Sequence, residues 1–86
     1  MDFSNKGNER LQIAVYSKII CGKSVNYSLY KLSENEYEIS IFKDGVEENA
    51  IFACDFFCAA ELFKVIKDTD TLPENIKEIA EDFATA

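Results

Sequence analysis

The sequence predicts an α+β fold: an antiparallel sheet of three to four strands, followed by two C-terminal helices packed on one face. Three features predict it. Strand-like runs of β-branched and aromatic residues fill residues 11–53, an Asp-Gly pair separates two runs, and helical periodicity begins only after Asp55. Because strands and helices are segregated along the chain, we expect two layers. We expect one domain over residues 1–86, with a frayed segment at 1–9.

The first two strands are predicted from alternating apolar residues. In "LQIAVYSKIIC" the residues of one parity are mostly apolar, which indicates a strand. These residues are Leu11, Ile13, Val15 and Ile19. "GKS" at 22–24 is interpreted as a turn into a second strand, "VNYSLYKL", which the polar residues 33–36 end.

A hairpin is predicted between the third and fourth strands. "YEISIFK" alternates cleanly, and Asp44-Gly45 follows it before the run "NAIFAC". A two-residue type I′ turn needs positive φ at both positions, which Asp tolerates and Gly prefers. With that loop, we expect Tyr37 to lie opposite Phe52 on one face of the sheet.

The first helix is predicted to begin at the end of the fourth strand. Asp55 is a natural N-cap, since its carboxylate can accept hydrogen bonds from the first-turn N–H groups. Apolar residues then recur at helical spacing, at Ala59, Leu62, Phe63 and Ile66.

The second helix is predicted to open at Thr71. Glu74, three residues on, would complete a capping box, and Pro73 suits the first turn, where its missing N–H costs nothing. We expect a buried stripe made of Leu72, Ile76, Ile79, Ala80 and Phe83.

The C-terminal segment follows the pattern Pro73-x-x-Ile76-x-Glu78-Ile79-x-Glu81-Asp82-Phe83. With the Tyr-x-Leu and Tyr-x-Ile strands ahead of it, at Tyr27 and Tyr37, it resembles a family of short Firmicutes proteins, mainly clostridial, known only as a domain of unknown function. The resemblance covers about residues 25–84 and is specific over the last dozen. It departs from the family at Glu38, where Gly is frequent. The resemblance implies this fold and supplies no activity, because the family has no known catalytic residues.

The charge balance disfavours two classes of partner. The chain carries 16 acids and nine bases, a net charge of −7, so phosphate backbones and anionic membrane surfaces repel it. We therefore expect no direct nucleic-acid or membrane binding and favour a basic protein partner. The N-terminus lacks the apolar region of a signal peptide, and three cysteines without an export signal favour a cytoplasmic protein with reduced thiols.

Few side chains are suited to catalysis or metal binding. The chain has no histidine, so the usual general base and most nucleophile–base pairs are missing. Its three cysteines do not form the two close pairs of a structural zinc site, nor a Cys-x-x-Cys redox pair. We expect no enzyme, metal or cofactor. Cys58, in the first helical turn, is the candidate reactive thiol, because helix N-termini lower a thiol pKa.

Apolar residues on both sheet faces predict an interaction surface. If the helices cover the face of Tyr37 and Ile39, then Phe42 and Ile51 point the other way. The second strand adds either Tyr27 and Leu29 or Tyr30 and Leu32 to that opposite face; the register stays open. Acidic residues mark the outer side of the second helix. The candidate interface residues are Phe42, Ile51, Tyr30, Leu32, Glu74, Glu78, Glu81 and Asp82.

These features favour a small acidic module, not an enzyme, that acts through contacts with a protein partner or a second copy of itself. The alternative is a phage or mobile-element inhibitor whose acidic surface mimics nucleic acid. In that role, carboxylates would replace phosphates in the basic groove of a nuclease or another nucleic-acid-binding enzyme.

Overall fold

The α+β prediction is confirmed by a computed structural model, which describes residues 10–85. The predicted frayed segment, residues 1–9, lies outside the described residues. Four strands come first and the helices follow. They are β1 (Leu11–Ile20), β2 (Lys23–Ser33), β3 (Glu36–Lys43), β4 (Val46–Phe52), α1 (Phe56–Asp68), a 3-10 turn (Pro73–Asn75) and α2 (Ile76–Thr85).

The strands form an antiparallel meander in the order β1-β2-β3-β4, so β1 and β4 are the edge strands. The predicted turn between β3 and β4 is confirmed, because φ is 55° at Asp44 and 76° at Gly45. The register that follows from this turn is also confirmed, with Tyr37 opposite Phe52.

The turn between β1 and β2 lies earlier than predicted. It consists of Cys21 and Gly22, with φ values of 53° and 80°, and β2 already begins at Lys23. The prediction of a turn over 22–24 was therefore wrong. Both turn residues need positive φ, and Gly22 takes the second such position at no steric cost. Lys23 is free to pair with Ile20.

The core lies between one sheet face and the two helices. Tyr27 and Leu29 belong to it, which settles the register that the sequence left open and places Tyr30 on the other face. The buried apolar residues are Val25, Tyr27, Leu29, Tyr37, Ile39, Ile41, Phe52, Ala59, Phe63, Ile66 and Ile76. From β1, the partly buried residues Ala14 and Ile20 pack against this cluster.

The start of α1 is as predicted. Asp55 has extended backbone, and its Oδ1 accepts a hydrogen bond from the Cys58 N–H at 2.9 Å. The predicted stripe faces the sheet, with Ala59, Phe63 and Ile66 buried.

The start of α2 differs from the prediction, because the capping box does not form. Leu72 precedes the 3-10 turn and makes no side-chain cap hydrogen bond. Thr71 is instead drawn into the core: its carbonyl accepts a hydrogen bond from the buried Tyr27 hydroxyl at 2.9 Å, and its hydroxyl lies 3.0 Å from that of Thr69. The helical segment therefore begins one residue later than predicted, with Leu72 at the N-cap position, while the Thr71 side chain faces Thr69. Of the predicted stripe, Leu72 lies outside the core cluster, and Ile76 is its fully buried member.

Candidate interaction surface

The open face is the sheet face that points away from α1 and α2. The strand register arranges its side chains in rows across the sheet. One row contains Gln12, Tyr30, Glu38 and Ile51. The next contains Val15, Ser28, Ser40 and Asn49. A third contains Ser17, Asn26, Phe42 and Glu47. The centre of the open face is therefore polar, and its apolar residues lie toward the edges.

Phe42 and Ile51, the two predicted apolar interface residues, are both on the open face. They are 41% and 57% exposed. They do not form one contiguous patch, because they lie two rows apart, with Ser40 and Asn49 in the row between them. Four residues along a strand correspond to about 13 Å. The sequence predicted their direction correctly and could not show this separation.

Tyr30 and Leu32 are half-buried. The Arg10 guanidinium lies 3.9 Å above the Tyr30 ring, and its Nη1 is 2.7 Å from Oε1 of the nearly buried Glu38. The hydrogen bond to Glu38 raises the pKa of Arg10, so the guanidinium stays charged. Leu32 lies at an irregularity where the pairing of β2 with β3 shifts register. Tyr30 and Leu32 are therefore less available for contact with a partner than Phe42 and Ile51.

The most exposed apolar strand is β1, which the candidate interface did not include. Exposed fractions reach 63% at Leu11, 58% at Val15, 43% at Tyr16 and 68% at Ile19. The predicted single parity of its apolar residues does not hold along the whole strand, because the register shift between Gln12 and Ala14 places Leu11 on the helix-facing side and leaves Val15 and Ile19 on the open face. The directions of these side chains depend on that shift and on which residues of β2 enter the core.

A shallow groove of about 550 Å³ joins β1 to the start of α1. Leu11 and Ile13 line it from the strand, and Phe56 and Phe57 from the helix. Phe57 is 78% exposed and packs edge-on against Phe56, with 5.7 Å between ring centroids. The exposed apolar surface therefore continues from the sheet edge onto the helical layer.

The predicted acidic residues Glu74, Glu78, Glu81 and Asp82 are all exposed. Glu74 lies in the 3-10 turn and the other three lie on α2. α2 packs next to β4, and Lys77 of α2 contacts Glu48 of β4 with 3.4 Å between Nζ and Oε1. The acids are thus concentrated on the β4 side of the molecule, away from β1.

The cysteines differ in accessibility. Cys21 is exposed in the first turn, whereas Cys54 and Cys58 are half-buried. Burial, and then a hydrogen bond to Cys58, raises the pKa of the Cys54 thiol to about 11. The reactivity of Cys58 stays a prediction. Among residues 10–85, no group of three or more His, Cys, Asp or Glu side chains could hold a metal ion.

No family model, curated protein or solved structure matches this chain. Within the part of the chain that the structure describes, neither helix is long and apolar enough to span a bilayer.

Proposed function

We propose that this protein is a small cytoplasmic binding module that acts through protein contacts and carries out no reaction of its own. The exposed apolar residues of β1, together with Phe42 and Ile51 on the open face, are the observation that carries this proposal. The Phe42 and Ile51 side chains are large, apolar and unshielded, and each is flanked by polar residues that can complete a rim. The C-terminal pattern supports placing the chain in the clostridial family that it resembles.

The charge distribution supports a basic partner. Exposed acids from the 3-10 turn, α2 and the neighbouring strand β4 share one side of the molecule, and the chain carries a net charge of −7. A partner that contacts this side would be attracted over a Debye length of about 8–10 Å at physiological salt. We therefore expect association to weaken as salt is added.

A second candidate function is inhibition of a nucleic-acid-binding enzyme. The acidic α2 surface favours it, because exposed carboxylates at Glu74 and Glu78 could occupy a basic groove built for phosphates. This candidate requires the acids and does not require the open face.

One capture experiment separates the two candidates. The tagged protein is used to capture partners from its source cell, which mass spectrometry then identifies, over a series of salt concentrations. Phe42→Ser with Ile51→Ser tests the open face. Val65→Ser is the matched control, because Val65 is 53% exposed on α1, away from this face. Glu74→Lys with Glu78→Lys tests the acidic surface.

If the binding module is correct, a defined partner is lost with the open-face variant and kept with the Val65→Ser control. If the inhibitor is correct, the partner binds nucleic acid and competes with it for this protein, and only the charge reversal releases it. A partner that survives both pairs of substitutions, in variants that unfold at the wild-type temperature, contradicts both candidates.

A further inference from the structure

The two edges of the sheet are protected to different degrees. Natural sheets shield their edges with charged residues, Pro, bulges or a covering element. β4 carries Glu47 and Glu48 and lies under α2. β1 is ten residues long and contains no acid, Gly or Pro. Its bulge lies near one end, between Gln12 and Ala14, and its one charge is Lys18. The segment from Ala14 to Ile20 is therefore regular, and no other strand among residues 10–85 pairs with its outer edge.

The only charged residue of β1 is Lys18, and its charge is directed into its own molecule. Its Nζ lies 2.6 Å from Oδ1 of Asp70 and 2.5 Å from the Lys67 carbonyl oxygen. The Lys18 charge is therefore paired with Asp70 of its own chain and adds no unpaired charge to the edge. The remaining side chains of β1 are apolar or neutral.

The backbone of β1 presents hydrogen-bonding groups to this edge. In a hairpin closed by a two-residue turn, the flanking residues exchange both hydrogen bonds, so Ile20 and then every second residue bond to β2. Val15, Ser17 and Ile19 alternate with these and direct their N–H and C=O groups away from β2. Their side chains lie on the open face.

The regular part of β1 has a centre at Ser17. The pairing of β1 with β2 shifts register between Gln12 and Ala14 and is continuous from Ala14 to Ile20. We propose that β1 pairs antiparallel with β1 of a second copy about a two-fold axis at Ser17, which joins the two sheets into one of eight strands. This proposal deepens and rests on the proposed function, because it identifies one protein partner as a second copy.

This register makes the edge self-complementary. Val15 lies opposite Ile19 of the second copy on the open face, so exposed apolar side chains meet. On the other face, Tyr16 lies opposite Lys18 of the second copy. Lys18 keeps its ion pair with Asp70 of its own chain, so its apolar stem is the part that packs against the ring. At the axis, Ser17 lies opposite Ser17 of the second copy, and this small side chain allows the two strands to approach closely.

The charge distribution favours the β1 edge over the other sides of the molecule as the place where two copies meet. Two copies at −7 each repel one another least when their acidic β4 sides are far apart, which is the case when the β1 edges meet. Added salt should therefore tighten this dimer, whereas it weakens contact with a basic partner. Because the interface is centred on one pair of strands, we expect a weak dimer, at the low end of interface sizes.

Sedimentation velocity over a range from about 5 to about 500 µM measures the dimer. Ser17→Pro should abolish it, since Pro removes the N–H that bonds across the axis and is tolerated where that N–H faces away from β2. Its unfolding temperature and circular dichroism establish that it remains folded.

A charge-swap pair tests the register independently. Val15→Lys and Ile19→Glu should each weaken the dimer at least tenfold, because each places charges opposite apolar residues. In one chain carrying both substitutions, each new lysine faces a new glutamate of the second copy, and the dimer should return. Within one chain these side chains are about 13 Å apart, too far to pair. Val65→Lys is the control that changes charge away from β1.

A wild-type protein that stays monomeric at the highest concentration overturns the proposal. A dimer that persists in the folded Ser17→Pro variant also overturns it. So does a chain with both Val15→Lys and Ile19→Glu that dimerises no better than the single variants. If the protein is a monomer and the β1 variants lose a different protein in the capture experiment, a foreign strand occupies the edge and the self-pairing proposal fails. A monomer that still binds through Phe42 and Ile51 overturns the dimer alone; a monomer that captures no partner overturns both proposals.

Discussion

Cys54 and Cys58 lie where β4 passes into α1, and the environment of Cys54 makes its thiol a poor nucleophile at neutral pH. The Cys54 thiol is withdrawn from solvent and interacts with Cys58, which holds its pKa near 11. The carboxylate of Asp55, which lies between them in the chain, accepts a hydrogen bond from the Cys58 N–H. The thiolate of Cys54 is therefore scarce at neutral pH.

The raised pKa of Cys54 predicts a loss of stability in alkali. The folded protein holds the thiol proton from the ordinary pKa of 9.0 up to about 11, so this contribution is complete below pH 9.0 and is lost as the pH rises to about 11. Urea denaturation across this window should show a smaller loss for Cys54→Ala than for the wild type. Cys21→Ala, at the exposed cysteine, should lose stability as the wild type does. Equal losses in Cys54→Ala and the wild type would contradict the prediction.

At the scale of elements, α1 and α2 begin in different ways although both starts contain capping residues. Asp55 caps α1 through its own side chain. Thr71 lies ahead of α2, and its carbonyl oxygen accepts a hydrogen bond from the hydroxyl of Tyr27 in β2. The first helix start is therefore local in origin, and the second is built by contact with the sheet.

The Asp55 cap predicts that two substitutions at this residue affect the free energy of unfolding differently. Asp55→Ala should lower the free energy of unfolding by about 1 kcal/mol, since the Cys58 N–H loses its acceptor. Asp55→Asn keeps an oxygen acceptor, and we expect it to stay within about 0.5 kcal/mol of the wild type. Urea denaturation measures both. Equal destabilisation by the two substitutions would show that the charge, and not the cap, is responsible.

At the scale of the whole molecule, one core joins the sheet to both helices. Phe63 is 6% exposed within the shared cluster, whereas Phe57 of the same helix is 78% exposed beside the shallow groove. A domain of 86 residues has a total stability of roughly 4–13 kcal/mol. A single large core residue therefore accounts for a considerable part of it.

Two substitutions in α1 test whether Phe63 belongs to the shared core and Phe57 does not. Phe63→Ala should cost about 3–5 kcal/mol, because it removes apolar contacts and leaves a cavity between the layers. Phe57→Ala should change stability by less than about 0.5 kcal/mol, because little of its ring is buried. Thermal unfolding followed by circular dichroism compares them. A costly Phe57→Ala would show that this ring is packed in solution, and a mild Phe63→Ala would contradict the shared core.

By itself, the sequence determined the features that depend on neighbouring residues. The turn at Asp44-Gly45 follows from backbone sterics, the start of α1 from a side chain three residues from its partner, and the α+β class from the segregation of the two periodicities. The tertiary structure alone decided the rest. The buried Tyr27 hydroxyl found its partner in the Thr71 carbonyl, 44 residues away, and the N-cap position went to Leu72. The outward direction of β1 and the separation of Phe42 from Ile51 depend on strand pairing, which brings together residues that are distant in the chain.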